Sequence, residues 1–420
     1  MKAISIKIDQ EDLLARFLRY VSIDTQSDIH SESCPSTEKQ WQLIRQLEKE
    51  LKELKVSDVL VTEFGYVLGT IPATSKKTGL PQIAFLAHVD TADACPGGAK
   101  PIVHRNYNGK PITLPDDKTQ VLTPEEIPLL LKKIGEDIIT ASGTTLLGAD
   151  DKAGVAIIMA FVKTLMKHPE IPHGPIRICF NPDEEIGRGM HKLELSVLNA
   201  IAAYTLDSED VGEINGETFS ADLATVEIEG VASHPGSAKG VMVNALRLAA
   251  QFIAKLPKEI SPEETSEREG FIHPLELTGS AEKAKIRMII RDFELEGLAE
   301  KKAYLHTVVK ELSKQEPRAQ WNLTIKEQYR NMRYWLDKDP FPVEAAQEAM
   351  TRAGLSPFLA PIRGGTDGSH LTQRGLPTPN LFTGFRNIHS KKEWVSLQDM
   401  ILSASVLVHL VQVWEEKGSL

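Results

Sequence analysis

The chain has 420 residues and a formal net charge of −10, with 41% hydrophobic and 25% charged residues. This length exceeds what one hydrophobic core usually supports, so two domains are predicted, and the acidic balance argues against non-specific nucleic-acid binding. No apolar run approaches the ~20 residues of a membrane span, and charges scattered through the N-terminal segment are unlike a signal peptide.

Strands and helices alternate through the first half of the chain. Helical spacing of apolar residues predicts helices over residues 10–22 and 38–55, and PQIAFLAHVDT is typical of a buried strand. Residues 96–145 are rich in Pro, Gly and polar residues, which predicts a long irregular connection with short elements. An apolar helix and the buried strand GPIRICFN follow. This order predicts an α/β domain with a mostly parallel mixed sheet.

The pattern changes near Thr218. ATVEIEGVA and KIRMIIRDFEL alternate as half-exposed strands do, VNALRLAAQFIAKL and GLAEKKAYLHTVVKELSKQ have helical spacing, and FIHPLEL and WNLTIKEQY supply further strands. The order predicts a small ferredoxin-like α+β domain inserted into the larger one. The predicted boundaries are 1–217 and 336–420 for the two parts of the larger domain and 218–335 for the insert.

The first polar cluster closes the strand IAFLAH. His88 and Asp90 are two residues apart, so their side chains share one face of the strand. His88 is a candidate metal ligand, and a nearby carboxylate such as that of Asp90 can fix its tautomer. The alternative is a polar strand end at a turn.

The second cluster, Asp150-Asp151-Lys152, opens the apolar helix. Helix capping alone explains one aspartate, because a side chain at the N-cap accepts backbone N–H bonds. A second aspartate after the apolar, Gly-containing GTTLLGA adds charge that a cap does not need, which favours a metal site.

The third cluster, Glu184-Glu185, follows a buried strand. Adjacent residues on a strand face opposite ways, but the next four residues, IGRG, supply a turn. One glutamate can then bind metal while its neighbour acts as general base on the attacking water. The alternative is an exposed acidic turn.

Two further residues complete a possible ligand set. Asp207 ends the apolar stretch YTLDSED, and His389 lies in a turn shortly before a helix. Each is a weak signal alone, but together with the three clusters they give the histidine and carboxylate mixture typical of zinc, or of manganese or cobalt. An aspartate able to bridge would suit two ions ~3.5–4 Å apart.

Three residues are candidates for contact with substrate. His234 lies in the Gly- and Pro-bounded loop SHPGSAKG of the inserted domain, and Arg291 ends a strand of the same domain. Arg363 precedes GGTDGS, whose glycines allow close approach by a ligand. Either arginine can clamp a carboxylate, and the alternative for each is surface solubility.

Seven motifs occur in one order: HVDT, GADDKAG, PDEEIG, LDSED, SHPGSAKG, RGGTDGS and GFRNIHS. In this set the chain resembles the di-zinc aminopeptidase and deacylase superfamily over nearly its whole length. The resemblance implies that His88 and Asp207 hold one zinc ion and that Glu185 and His389 hold the other. It implies that Asp150 bridges the two.

The same resemblance implies roles for residues around the ions. Glu184 is implied to be the general base and later the acid, while Asp90 orients His88. His234 is implied to hold the oxyanion, from an inserted domain that acts as a lid. The peptide bond between Asp150 and Asp151 is implied to be cis.

The implied function is a metallo-aminopeptidase that releases the N-terminal residue of short peptides, above all tripeptides. Two zinc ions per subunit are implied, with manganese or cobalt as substitutes. The alternatives are an N-acyl-amino-acid deacylase on the same ions and a non-catalytic binding protein.

A homodimer through the inserted domain is predicted as one arrangement, because the edge strands of two copies can pair. No nucleic-acid or membrane partner is predicted. The three cysteines, Cys34, Cys95 and Cys179, are sparse and lack CxxC spacing, which predicts reduced thiols in a cytoplasmic protein.

Overall fold

The structure is a computed structural model that describes Ile4 and residues 6–418. It divides into two compact units. The larger unit comprises the chain up to Gly216, Trp335–Ala360 and the chain from Thr366 onward, and the smaller unit comprises Glu217–Tyr334 and Pro361–Gly365.

The segment Pro361–Gly365 differs from the predicted domain boundaries, which placed it in the larger domain. It belongs to the smaller unit because Phe219 donates its N–H to the carbonyl of Ile362 at 3.1 Å. Arg363 also donates to main-chain oxygens of residues 265–269. These contacts join segments far apart in sequence, so no local pattern marks them.

The helices and strands of the described residues are as follows in chain order. The helices are α1 (Gln10–Val21), α2 (Gln40–Glu53), α3 (Ala149–Lys167), α4 (Leu195–Leu198), α5 (Ala245–Ala254), α6 (Leu295–Gln315), α7 (Arg333–Leu336), α8 (Phe341–Arg352), α9 (Asp367–Gln373) and α10 (Leu397–Lys417). The strands are β1 (Ser57–Val61), β2 (Val67–Ile71), β3 (Ile83–His88), β4 (Ile102–His104), β5 (Ile112–Thr113), β6 (Val121–Leu122), β7 (Ile138–Thr140), β8 (Ile176–Asn181), β9 (Ala202–Ser208), β10 (Glu213–Thr218), β11 (Ser220–Glu229), β12 (Phe271–Gly279), β13 (Lys283–Asp292), β14 (Gln320–Tyr329), β15 (Phe358–Ile362), β16 (Asn380–Phe382), β17 (Phe385–Arg386) and β18 (Trp394–Ser396).

The main sheet has eight strands in the order β1-β2-β8-β3-β9-β16-β10-β15. Its four central strands, β8, β3, β9 and β16, are parallel, and β2 and β10 pair with them antiparallel. The strands β3 and β8 are buried along their whole length, which explains their continuous apolar sequences. The predicted α/β domain with a mostly parallel mixed sheet is confirmed.

Helices cover this sheet. In α1 the buried side chains Leu13, Leu14, Phe17 and Val21 recur at helical spacing, and the Asp9 side chain caps the helix by accepting the N–H of Asp12. The helix α3 is buried along most of its length and packs against α1, α10 and β3.

Although no uninterrupted apolar run predicted a membrane span, the helix α10 is long enough, and apolar enough on average, to cross a membrane by length and composition alone. In the structure 78% of its apolar window is buried, and it packs against α3 and α8. Its apolar side chains therefore form part of the core of the larger unit.

A second sheet, in the order β17-β18-β7-β4, is formed within the larger unit. The predicted irregular connection over residues 96–145 contributes β4 and β7 to it, and β18 comes from the last part of the chain. Strands of two or three residues give little sequence signal, and their partners are distant. This sheet supports the turn that carries His389, between β17 and β18.

The smaller unit contains β11, α5, β12, β13, α6 and β14 in chain order. Its strands form an antiparallel sheet in the order β12-β13-β11-β14, which is the ferredoxin-like arrangement. Alternate residues of β11, namely Ala224, Val226 and Ile228, are buried in one apolar cluster with residues of α5 and α6. The predicted ferredoxin-like topology is therefore present.

Candidate metal centre

The carboxyl ends of the central parallel strands carry most of the predicted ligands. His88 is the last residue of β3, and Asp207 is next to last in β9. Glu185 follows β8 after a short segment, and His389 lies beyond β16. Because parallel strands end at the same edge of a sheet, residues far apart in sequence meet there.

Asp150, in the first turn of α3, lies between two histidines. Its Oδ1 is 3.1 Å from Nε2 of His88, and its Oδ2 is 3.2 Å from Nε2 of His389. Two ligands at about 2.0–2.1 Å from one tetrahedral zinc ion lie about 3.3 Å apart. Both distances therefore match pairs of ligands that share an ion, with one oxygen of Asp150 on each side.

Near its Nε2, each histidine has a second predicted carboxylate ligand besides Asp150. Oδ1 of Asp207 lies 3.8 Å from Nε2 of His88, and Oε2 of Glu185 lies 3.0 Å from Nε2 of His389. Ligand atoms of His88, Asp150 and Glu185 all lie within 4.8 Å of one another. The structure thus brings the five predicted ligands together as two sets that share Asp150.

Asp90 is fully buried and contacts both His88 and the following acidic turn. Its main-chain oxygen and its Oδ1 lie 3.0 and 3.3 Å from Nδ1 of His88. A proton on Nδ1 leaves Nε2 free to accept, which is the form that binds metal. The Asp90 carboxylate also accepts the N–H groups of Glu184 and Glu185 at 3.0 and 3.2 Å. No local pattern predicts this second contact, because it joins residues 94 positions apart.

Asp151 has a different environment from Asp150. Its Oδ1 accepts the N–H of Gly154 at 3.1 Å, and its Oδ2 accepts the N–H of His88 at 3.2 Å. Asp151 also lies near His88 and Asp207, but these main-chain contacts engage both of its oxygens. The peptide bond between Asp150 and Asp151 is cis, as the resemblance implies.

Glu184 belongs to neither ligand set, although it precedes Glu185. Its carbonyl accepts the N–H of Gly187 at 2.6 Å, which closes the turn. Asp183, directly before it, has a φ of 61° and accepts hydrogen bonds from Ser36 and Gln40. The turn is therefore held on both sides, and the two glutamates have different neighbours.

Glu393 was not predicted as a site residue. It is 1% exposed and follows the His389 turn. Its Oε2 accepts the N–H of Gly148 at 2.7 Å, and its Oε1 accepts the N–H of Asp150 at 3.0 Å. A single Glu before a short strand carries no sequence signal for such a contact.

The site brings several carboxyl groups close together in a buried environment. Burial and the charge of Asp150 raise the pKa of Asp207, and burial with the charge of Asp367 raises the pKa of Glu184. The carboxylates of Asp150 and Glu185 raise the pKa of His389 to about 11. Divalent cations relieve this repulsion, and imidazole nitrogens mixed with carboxylate oxygens fit zinc, manganese or cobalt.

His234 and Arg291 lie in the smaller unit. His234 is exposed, and its Nδ1 accepts the N–H of Gly236 at 3.1 Å. The guanidinium of Arg291 lies 5.4 Å from the ring centroid of Tyr329 and donates to Oε1 of Gln328 at 3.0 Å.

Arg363, also in the smaller unit, has its donors engaged by the fold. It donates to the main-chain oxygens of Glu267 and Glu269 at 2.8 and 2.9 Å, and to the Thr265 hydroxyl at 3.0 Å. Its guanidinium lies 5.2 Å from the ring centroid of Phe219. These contacts favour a packing role for this arginine.

The chain is similar, in sequence and in structure, to known peptidases. A protein of Bacillus pumilus described as Peptidase T is 46% identical over 410 residues, which cover 97% of this chain and 100% of that protein. A Peptidase T of Listeria welshimeri is 44% identical over 409 residues, with the same coverage of 97% and 100%. The crystal structure of aminopeptidase PepT from Bacillus cereus matches with a TM-score of 0.72 at 26% identity, covering 97% of this chain and 99% of that one.

The family model described as "Peptidase family M20/M25/M40" matches residues 136–413. This range includes more than half of the chain and four of the five predicted ligands. Since the relatives also align over nearly all of the chain, it belongs to peptidase family M20/M25/M40 and is a metal-dependent peptide hydrolase.

Proposed function

We propose that the protein is an aminopeptidase that releases the N-terminal residue of short peptides, above all tripeptides, with two divalent metal ions per subunit. The observation that supports it most is the position of Asp150, with one carboxylate oxygen toward His88 and the other toward His389. The names of its relatives, Peptidase T and aminopeptidase PepT, favour the same substrate class.

The five ligands divide into two sets in this proposal. His88 and Asp207 would hold one ion, Glu185 and His389 would hold the other, and Asp150 would belong to both sets. Zinc suits this mixture of nitrogen and oxygen ligands, and manganese or cobalt can replace it. Bound ions of this kind lower the pKa of water toward neutrality and polarise a carbonyl group.

Glu184 moves the proton in this scheme. It accepts a proton from the water that attacks the peptide carbonyl, and then gives that proton to the amine as the C–N bond breaks. Burial raises its pKa, which favours a group that must alternate between base and acid. Asp90 positions both His88 and the main chain of Glu184.

His234 supplies a hydrogen bond to the oxyanion. Because its Nδ1 accepts the N–H of Gly236, the neutral ring carries its proton on Nε2 and can donate there. His234 belongs to the smaller unit and the ligands belong to the larger one. We therefore propose that the smaller unit acts as a lid, and that a homodimer forms through the strand edges of β12 or β14.

Arg291 is the proposed contact for the peptide carboxylate. Its guanidinium donates to Oε1 of Gln328 and to the main-chain oxygens of Ile290 and Asp222. Like Arg363, it therefore also has contacts within the smaller unit. We further propose a cytoplasmic location, because all three cysteines are free.

The test is a peptide panel assayed with chelated protein and with protein to which zinc has been restored. Di-, tri- and tetrapeptides are compared with the same peptides acetylated at the N-terminus. We expect fastest release from free tripeptides and no turnover by metal-free protein. Preference for the acetylated substrates would instead indicate a deacylase, and full turnover without metal would refute the proposed mechanism.

A further inference from the structure

Glu393 is a buried carboxylate that lies outside both ligand sets. Its two oxygens accept the N–H groups of Gly148 and Asp150 at 2.7 and 3.0 Å. We infer that Glu393 is a positioning residue that fixes Asp150 between the two histidines, so that its loss weakens the binding of both metal ions. This inference rests on the proposed two-metal site.

The main chain before α3 needs such an acceptor. Gly148 has a φ of 80°, and Asp150 has φ −81° and ψ 104°, so neither is in a helical conformation. Their N–H groups lie at the start of the helix, where no intrahelical acceptor exists. A buried N–H without a partner is costly, and Glu393 supplies an oxygen to each.

The other end of Glu393 is anchored to the turn that carries His389. The N–H of Glu393 donates to the carbonyl of Ser390 at 3.2 Å, and Trp394, the next residue, pairs with Thr140 of β7. One side chain thus links the main chain of Asp150 to the turn of His389. Oδ2 of Asp150 lies 3.2 Å from Nε2 of His389, and in this inference the link through Glu393 maintains that distance.

A simple capping role makes a different prediction. A residue that only caps α3 stabilises the protein equally with and without metal. A residue that positions Asp150 changes the affinity for metal, and it changes it for both ions because Asp150 belongs to both ligand sets. Replacement of Glu185, which belongs to one set, should weaken the binding of only one ion.

Glu393→Gln is the informative variant, because it keeps the shape but turns one acceptor into a donor that faces a main-chain N–H. Glu415→Gln is the matched control: Glu415 is 3% exposed and accepts hydrogen bonds from Ser75 and Lys77, none of which is a predicted ligand. Zinc dissociation constants are measured by competition with a chelator, and the melting temperature of each metal-free protein is recorded.

We expect both zinc dissociation constants of Glu393→Gln to rise by about 10–100-fold, the usual effect of losing a partner behind a metal ligand. Glu415→Gln should lower the melting temperature without changing either constant. Unchanged dissociation constants in Glu393→Gln, or weaker binding of one ion alone, would overturn the inference. If the wild type still binds two ions in that case, the proposed function is unaffected. A wild type that binds no zinc would overturn both.

Glu393→Asp covers the case in which Glu393→Gln does not fold. It keeps the negative charge, but its side chain is one methylene shorter and cannot reach both N–H groups. The expected change has the same direction, and wild-type constants for both ions in this variant would likewise contradict the positioning role.

Discussion

Neighbouring residues of the acidic turn have different surroundings, which is why they can take different roles. Glu185 contacts His389 at 3.0 Å and the main-chain N–H of Ala92 at 3.0 Å, as expected of a fixed ligand. Glu184 is held through its main chain by Asp90 and belongs to neither ligand set. In the proposed mechanism this carboxylate transfers the proton.

Substitution of these two glutamates should separate catalysis from metal binding. We expect Glu184→Gln to keep its metal and to lose ~10²–10⁴-fold in turnover, the usual contribution of a general base. Glu185→Ala should lose one ion. Turnover and metal content are measured on the same preparations, and a Glu184→Gln variant with wild-type turnover would show that the roles are wrongly assigned.

The sequence allowed the candidate ligands to be chosen, because hard ligands that follow buried strands are a local pattern. It did not reveal Glu393 or the second contact of Asp90. Both residues act by accepting main-chain N–H groups from distant segments, and the main chain of any residue offers the same donor. Only the folded arrangement shows which acceptor meets which donor.

At the scale of elements, the edge of the parallel sheet and the start of α3 are packed closely together. A methyl group on Gly154 would overlap Oδ1 of Asp151 and the carbonyl of Leu206. Asp151 holds the end of β3 at His88, and Leu206 precedes Asp207 in β9. A glycine in the first turns of α3 is therefore needed for the close approach of helix and sheet.

We expect Gly154→Ala to destabilise the protein by about 1–3 kcal/mol, the usual cost of overpacking. In an open helix the same change would be stabilising by about 0.5–1 kcal/mol. Gly216→Ala is the control, since its methyl group would meet its nearest atoms at an ordinary 3.6 Å. The free energy of unfolding of both variants is measured with a denaturant. A Gly154→Ala protein as stable as the wild type would contradict the packing described.

The long elements were predictable, and the shortest ones were not. The periodicity of α1 and α2 and the apolar runs of β3 and β8 are local properties. The strands β4, β7, β17 and β18 have two or three residues each and exist because they pair with one another. Residues 96–145 therefore looked irregular in sequence, although they help to hold the His389 turn.

At the scale of the whole molecule, the proposed chemistry needs residues of both units. The ligands and Glu184 belong to the larger unit, and His234 belongs to the smaller one. His234 can act only if a smaller unit, of the same subunit or of a partner, places it at the reacting carbonyl. The alternating strands of the insert made its ferredoxin-like topology predictable, but not the return of Pro361–Gly365 to it.

Mixed subunits distinguish these two routes. We expect His234→Ala to lower turnover with little change in metal content, because it acts on the oxyanion. We also expect subunits of His234→Ala and Glu184→Ala to regain activity when mixed, since each dimer with one subunit of each variant then contains one intact site assembled across the interface. No recovery, in dimers shown to have exchanged subunits, would leave closure within one chain as the remaining route.

The number of metal ions bound per chain, measured for the wild type and for Asp150→Ala, tests the central claim most directly. A shared ligand predicts two ions in the wild type and the loss or strong weakening of both in Asp150→Ala, because one carboxylate faces both His88 and His389. A wild type with a single ion, or an Asp150→Ala protein that keeps both at wild-type affinity, would contradict a two-metal site bridged by Asp150.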